Sequence, residues 1–129
     1  MNNSWRRRWQ AKLCAMLLGV STVSAGDDFL YGYLAAQANQ YPDAIAAWWR
    51  AAQAGEPNAL FMLGTVYHGG IVTQANETLA VKLYHRAAEQ GHHLAQEYLA
   101  IAYQEGWFGL SQDDGKAAFW RRQLDAQRF

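Results

Sequence analysis

Small and aromatic residues recur along this chain with a spacing of 36. Ala44 coincides with Ala80, Trp48 with Tyr84, and Ala51-Ala52 with Ala87-Ala88. Gly55 then meets Gly91, Ala59 meets Ala95, Leu63 meets Leu99, and Tyr67 meets Tyr103. A third copy begins at Lys116-Ala117, one residue late because the Trp107-Phe108-Gly109 loop is longer. Within each copy the spacing is helical. Leu79, Ala80, Leu83, Tyr84, Ala87 and Ala88 form a stripe two residues wide at i, i+4 and i+8, the mark of one buried helix face. Ala95, Tyr98, Leu99, Ala102 and Tyr103 follow the same rule, as do Ala44, Ile45, Ala47, Trp48, Ala51 and Ala52. Alternation of period two is absent, so no sheet is expected.

Punctuation between the stripes agrees. Gly55 and Gly91 stand where a helix ends and the backbone turns left-handed. Pro57 suits a first helical turn, and Asn76 and Asp113 are N-cap residues. The pattern predicts helix pairs that cannot bury their faces alone and must stack. Alanines 51, 52, 87 and 88 allow close approach, and Trp48, Tyr67, Tyr84 and Tyr103 fill the gaps between layers.

The residues Leu83-Tyr84-His85-Arg86-Ala87-Ala88-Glu89-Gln90-Gly91, then Ala95, Leu99, Tyr103, Gly106 and Gly109, carry a family likeness. The first copy adds Trp48-Trp49-Arg50-Ala51-Ala52-Gln53-Ala54-Gly55, Ala59, Leu63-Gly64 and Tyr67. This spacing resembles the Sel1-like repeat, a relative of the tetratricopeptide repeat, over about residues 44–124. Ala100 departs from the family's preferred glycine, and Gly69–Asn76 lacks its usual Gly-x-Gly. Asp28–Gln53 is closer to a plain tetratricopeptide unit, through Gly32, Tyr41, Ala44, Trp48 and Ala51. The resemblance implies an all-α fold, a short right-handed α-solenoid of antiparallel helix pairs. Six helices are expected, at about 28–39, 42–54, 57–68, 77–90, 93–105 and 113–126. The last would act as a cap, with Arg121, Arg122, Asp125 and Arg128 facing water.

The N-terminus differs from the rest. Arg6, Arg7, Arg8 and Lys12 precede the mostly apolar Leu13–Val20, and Val23-Ser24-Ala25 follows. That order is the order of a secretory signal. Residues 1–25 are therefore expected to be a cleavable signal peptide and 26–129 the helical domain, periplasmic or secreted. The alternative is an uncleaved short anchor. The export route, general secretory or twin-arginine, stays open. Cys14 does not fit a lipoprotein signal, because Lys12 interrupts the apolar segment before it. No apolar run is long enough for a stable membrane span.

Cleavage changes the charge. The whole chain has 11 basic and 11 acidic residues. Removing 25 of 129 residues leaves 104, with all 11 acids but only seven bases, a net charge of −4 and no cysteine. At 51% hydrophobic and 17% charged, the chain is neither disordered nor a disulfide scaffold.

Catalytic chemistry is sparse. Ser111 is the only serine after residue 25, and it reads as a cap with Asp114 three positions on. His68, His85, His92 and His93 lack the spacing of metal ligands. Asp27-Asp28 and Asp113-Asp114 open helices, where negative charge favours the dipole. Acidity disfavours nucleic acid. Asn76-Glu77-Thr78 is a glycosylation sequon, meaningful only in a eukaryotic host. No catalytic residue, metal or cofactor is expected.

What remains is surface. The resemblance implies that the first helix of each pair lines a concave groove. Carried over residue by residue, that groove presents Phe29 and Tyr33, then Asn58, Phe61, Thr65 and His68, then Leu94, Glu97, Ile101 and Gln104. An apolar groove rimmed by acids suits an amphipathic or basic peptide. The alternative is that these aromatics pack between helices of a short stack. Trp107-Phe108 is a second exposed candidate. The leading expectation is an exported, non-enzymatic adaptor for a protein or peptide. An immunity-like inhibitor of a toxin or envelope enzyme, and a hydrolase or metal-dependent enzyme, are the alternatives. Open apolar ends would also permit self-association.

Overall fold

The computed structural model describes residues 24–70 and 74–128. They contain α1 (Ala25–Gln37), α2 (Tyr41–Gln53), α3 (Pro57–Gly69), α4 (Glu77–Glu89), α5 (His93–Glu105) and α6 (Asp114–Ala126). No strand occurs among the described residues. The helices pack as α1 on α2, α3 on α4 and α5 on α6, and the pairs join through α2 on α3 and α4 on α5. The result is the α-solenoid of helix pairs that the family resemblance implies.

Each helix is 13 residues long. Equivalent positions can therefore be counted from each first residue. The eighth residues are Gly32, Gly64 and Ala100 in the first helices of the pairs, and Trp48, Tyr84 and Arg121 in the second. The glycines are where the pairs cross. A Cβ on Gly64 would lie 2.5 Å from Tyr84 Cε1, and one on Gly32 would lie 2.5 Å from Trp48 Nε1. Each missing methyl makes room for a ring that fills the crossing. Trp48 also donates its indole N–H to the Phe29 carbonyl, at 3.2 Å. In the third pair the exposed Arg121 stands where the others have a ring. Ala100 is then tolerated, which accounts for its departure from the family pattern.

Successive pairs are joined by a second recurrent contact. The ninth residue of one pair's second helix meets the eleventh of the next first helix. Trp49 Nε1 donates to Tyr67 Oη at 3.3 Å, and His85 Nε2 lies 2.9 Å from Tyr103 Oη. Ala44, Ala47, Ala51, Ala52, Ala80, Ala87 and Ala88 are all buried, so the helices approach closely around Leu60, Leu63, Leu83 and Leu99.

The two longer loops close alike. The Tyr67 carbonyl accepts from the Asn76 N–H, and the Tyr103 carbonyl from the Asp113 N–H, each at 2.8 Å. Asn76 and Asp113 then cap α4 and α6 through their side chains. Asp113, not Ser111, is the cap of α6. Ser111 is exposed and two residues too early, so the pairing with Asp114 expected of it is not formed. Gly55 and Gly91 take φ of 81° and 85°, as their positions at helix ends require. Two residues outside the favoured cap types also serve as caps: the Glu56 carboxylate accepts from the Ala59 N–H at 2.7 Å, and His92 Nδ1 from the Ala95 N–H at 3.3 Å.

At the far end, Arg121, Arg122, Asp125 and Arg128 face water as expected of a cap. At the near end, Leu30, Tyr31 and Leu34 are exposed. The core positions Leu63 and Leu99 occupy the place of Tyr31 in later pairs. No helix among the described residues is long and apolar enough to cross a membrane. Of the proposed signal segment only Ser24 and Ala25 are described. Ser24 caps α1, its Oγ accepting from the Asp27 N–H at 3.2 Å. The remainder, Cys14 included, lies outside the described residues.

Candidate functional site

The ten groove residues fall at the second, fifth, ninth and twelfth positions of α1, α3 and α5, which lie along one helical face. Seen across the stack they form rows: Phe29, Phe61 and Glu97; Tyr33, Thr65 and Ile101; then His68 and Gln104, with Asn58 and Leu94 in the remaining row. Tyr33, Asn58, His68, Leu94, Glu97 and Gln104 are exposed, while Phe29, Thr65 and Ile101 are half-buried.

Phe61 is a correction. It is only 9% exposed and is a packing residue, not an exposed anchor. Its ring stacks on His92 with centroids 4.5 Å apart and lies 5.6 Å from Tyr84 and 5.5 Å from Tyr98. The physical reason is the next pair. His92 caps α5 and Tyr98 lies at its middle, so α5 closes over the fifth position of α3. Among the described residues no further pair closes over Glu97, which is exposed. Phe29 also packs against the core, its outer part accessible.

The Trp107-Phe108 loop extends this face. Phe108 holds a left-handed φ of 57°, uncommon for a bulky residue. That turn sends its ring edge-on to His68 at 4.6 Å and close to Tyr84 at 5.8 Å, while Trp107 stays 46% exposed. His68, Glu77, Trp107 and Phe108 enclose a cleft of about 330 Å³. Sequence reasoning singled out His68 and Trp107-Phe108 but missed Glu77, which comes from the first turn of α4. A cleft with aromatic walls and a carboxylate favours a cation.

The titratable groups beneath the face are structural. Burial pushes the Tyr84 phenol well above its usual value, with Tyr98 adding to the shift. Burial lowers the His85 pKa, with Glu89 opposing and Lys116 reinforcing. His92 is lowered by burial too, against Glu56 and its own backbone and with His93. Among the described residues no three His, Cys, Asp or Glu side chains converge as a metal site would need. His68 and His92 serve the aromatic cluster and the α5 cap instead.

The repeated geometry matches known proteins. The family model for the Sel1 repeat matches residues 57–92 and 93–122. A crystal structure of a Sel1 repeat protein from Oxalobacter formigenes is 33% identical, with a TM-score of 0.61 over 67% of this chain and 66% of that one. The c5321 protective antigen of uropathogenic Escherichia coli, which displays an SLR fold, is 28% identical, with a TM-score of 0.60 over 67% of this chain and 19% of that one. The match thus spans about two thirds of the first protein and a fifth of the second. Two consecutive repeats over half of the sequence, built on the Gly64–Tyr84 crossing and its neighbours, place this chain in the Sel1 repeat family.

Proposed function

We propose that this chain is an exported, non-enzymatic interaction module that holds a basic or amphipathic segment of a partner protein on the α1–α3–α5 face. Sel1 repeats are generally protein-interaction modules, and the proposal assigns that role to a surface and a ligand chemistry. The observation that carries it is the cleft beside His68. There an exposed indole and a carboxylate converge next to a face bearing Tyr33, Leu94 and Glu97. Apolar anchors bounded by acids suit a peptide with hydrophobic and cationic side chains. Tyr33 and Leu94 supply apolar contact, while Glu77 and Trp107 hold a lysine or arginine by charge and cation–π attraction.

Export follows from the charged, apolar and small-residue order of residues 1–25. It is tested by sequencing the N-terminus of the protein recovered from the cell envelope, where cleavage gives Gly26. The exposed Leu30, Tyr31 and Leu34 would support weak self-association, read by light scattering. The groove is tested by replacing Tyr33, Leu94 and Trp107 with alanine. Binding of a basic amphipathic peptide should fall at least tenfold with the helical circular dichroism unchanged. Undiminished binding removes this face from the account.

A further inference from the structure

In the first and third pairs the tenth residue of the second helix sits near the fourth residue of the first, and the tenth residue is an arginine in two pairs of three. In the first pair, Arg50 Nε lies 3.1 Å from the Asp28 carboxylate. In the second, Leu60 takes the fourth position, and Arg86 Nη2 instead donates to the Ala52 carbonyl of α2 at 3.3 Å. In the third, the residues are Gln96 and Gln123. The shorter Gln123 does not close the seam, and a cavity of about 300 Å³ remains, lined by Glu89, Gln96, Phe119, Trp120, Gln123 and Gln127 among others.

Gln96 is the unusual wall of this cavity. It replaces the leucine of the preceding pair, yet it is only 2% exposed. Its Nε2 donates to the Ala88 carbonyl at 3.0 Å, the counterpart of the Ala52 carbonyl reached by Arg86. Its Oε1 is buried with no hydrogen-bond partner among the described residues. Buried acceptors are nearly always satisfied, and an orphan calls for a donor. Glu89, which forms no ion pair among the described residues, adds negative charge at the rim.

We propose that this cavity is a second binding site, taking the guanidinium of an arginine side chain from a partner protein. Guanidinium carries five N–H donors and no acceptor, which matches an orphan amide oxygen, a carboxylate and further glutamine oxygens. It is planar and weakly hydrated, so it stacks on the exposed Phe119 ring, where a compact, strongly hydrated ammonium does not. The site shares no residue with the α1–α3–α5 face. A partner's arginine would complete the third node as Arg50 and Arg86 complete the first two.

The test uses the isotope-labelled full chain titrated with N-acetyl-arginine amide, with the citrulline and lysine analogues as controls. The arginine compound should shift the Gln96 side-chain amide and the Trp120 indole in a saturable way. Citrulline and lysine should bind at least tenfold more weakly. Gln123→Arg places the chain's own guanidinium in the cavity, so it should raise the melting temperature and abolish the response. Gln96→Leu restores the residue of the second pair and should abolish the response in a folded protein. No shift with arginine, a cavity holding water alone, equal shifts with all three compounds, or a response that survives both variants would each overturn the proposal.

Discussion

Adding a single methyl group at Gly64 tests whether the helix pairs cross as described. In an exposed helix, glycine to alanine stabilises by about 0.5–1 kcal/mol, because alanine loses less conformational freedom on folding. Gly64 is buried, and a Cβ there would stand 2.5 Å from Tyr84 Cε1 and 2.7 Å from Cδ1. Ordinary contact begins near 3.4 Å, so the ring would have to retreat by nearly an ångström. Tyr84 is 0% exposed and wedged among Phe61, Tyr98 and Phe108, so it has no free direction. Overpacking of this kind costs about 1–3 kcal/mol. The net effect of Gly64→Ala is a loss of roughly 0.5–2 kcal/mol, the cost of overpacking less the helix-propensity gain. In a domain of about 100 residues each kcal/mol moves the melting temperature by about 4–8 °C. Thermal unfolding followed by circular dichroism should thus show a fall of roughly 2–16 °C, within that scaling. Ala100→Gly, at the equivalent position without a facing ring, should lose the propensity difference of about 0.5–1 kcal/mol together with the burial of one methyl, about 0.8 kcal/mol. An unchanged or higher melting temperature for Gly64→Ala would refute the crossing geometry.

Three further outcomes follow from the packing, the caps and the buried histidines. Trp48→Ala empties the first crossing and should cost about 3–5 kcal/mol; a melting temperature near that of the parent would show that the indole is not buried. Asp113→Ala removes the side-chain cap of α6 and should cost about 1 kcal/mol, read from urea unfolding, whereas Ser111→Ala should be nearly silent. His85 and His92 have pKa values held below the usual 6.5 by burial. The unfolded chain therefore binds protons first as pH falls below about 6.5. Stability from these groups is complete above that pH and is lost on acidification towards their folded values. Denaturation at pH 7.5 and 5.5 should show this loss, and replacing both histidines with glutamine should shrink it; an unaltered pH dependence would contradict the assignment.

Much of this architecture was legible because the repeat enforces it. The left-handed glycines and the buried Trp48 and Tyr84 follow from one stripe copied at a spacing of 36, while the full set of six helices follows from the resemblance to Sel1-like and tetratricopeptide units. The face carrying the candidate site follows from the resemblance, which implies that the first helix of each pair lines the groove. What periodicity does not reveal is how far a neighbouring pair closes over that face. It therefore could not tell the buried Phe61 from the exposed Tyr33, although both are aromatics on the same side of a helix. Contacts between distant residues, such as Asp28 with Arg50, leave no trace in local spacing. Glu56 and His92 were missed as caps because neither is among the favoured cap residues. Gln96 carried a signal in its misfit with Leu60, one repeat earlier, which only position-by-position comparison of the copies brings out.

The central claim is that the α1–α3–α5 face and its cleft bind a basic segment of a partner. Its most direct measurement is a binding titration of an amphipathic lysine- and arginine-bearing peptide, with residue-resolved chemical shifts recorded on the labelled protein. The account predicts saturable shifts concentrated at Tyr33, His68, Leu94 and Trp107, weakened by Glu77→Gln and by added salt. Shifts spread evenly over the surface, or confined to the outer side of α2 and α4, would contradict it.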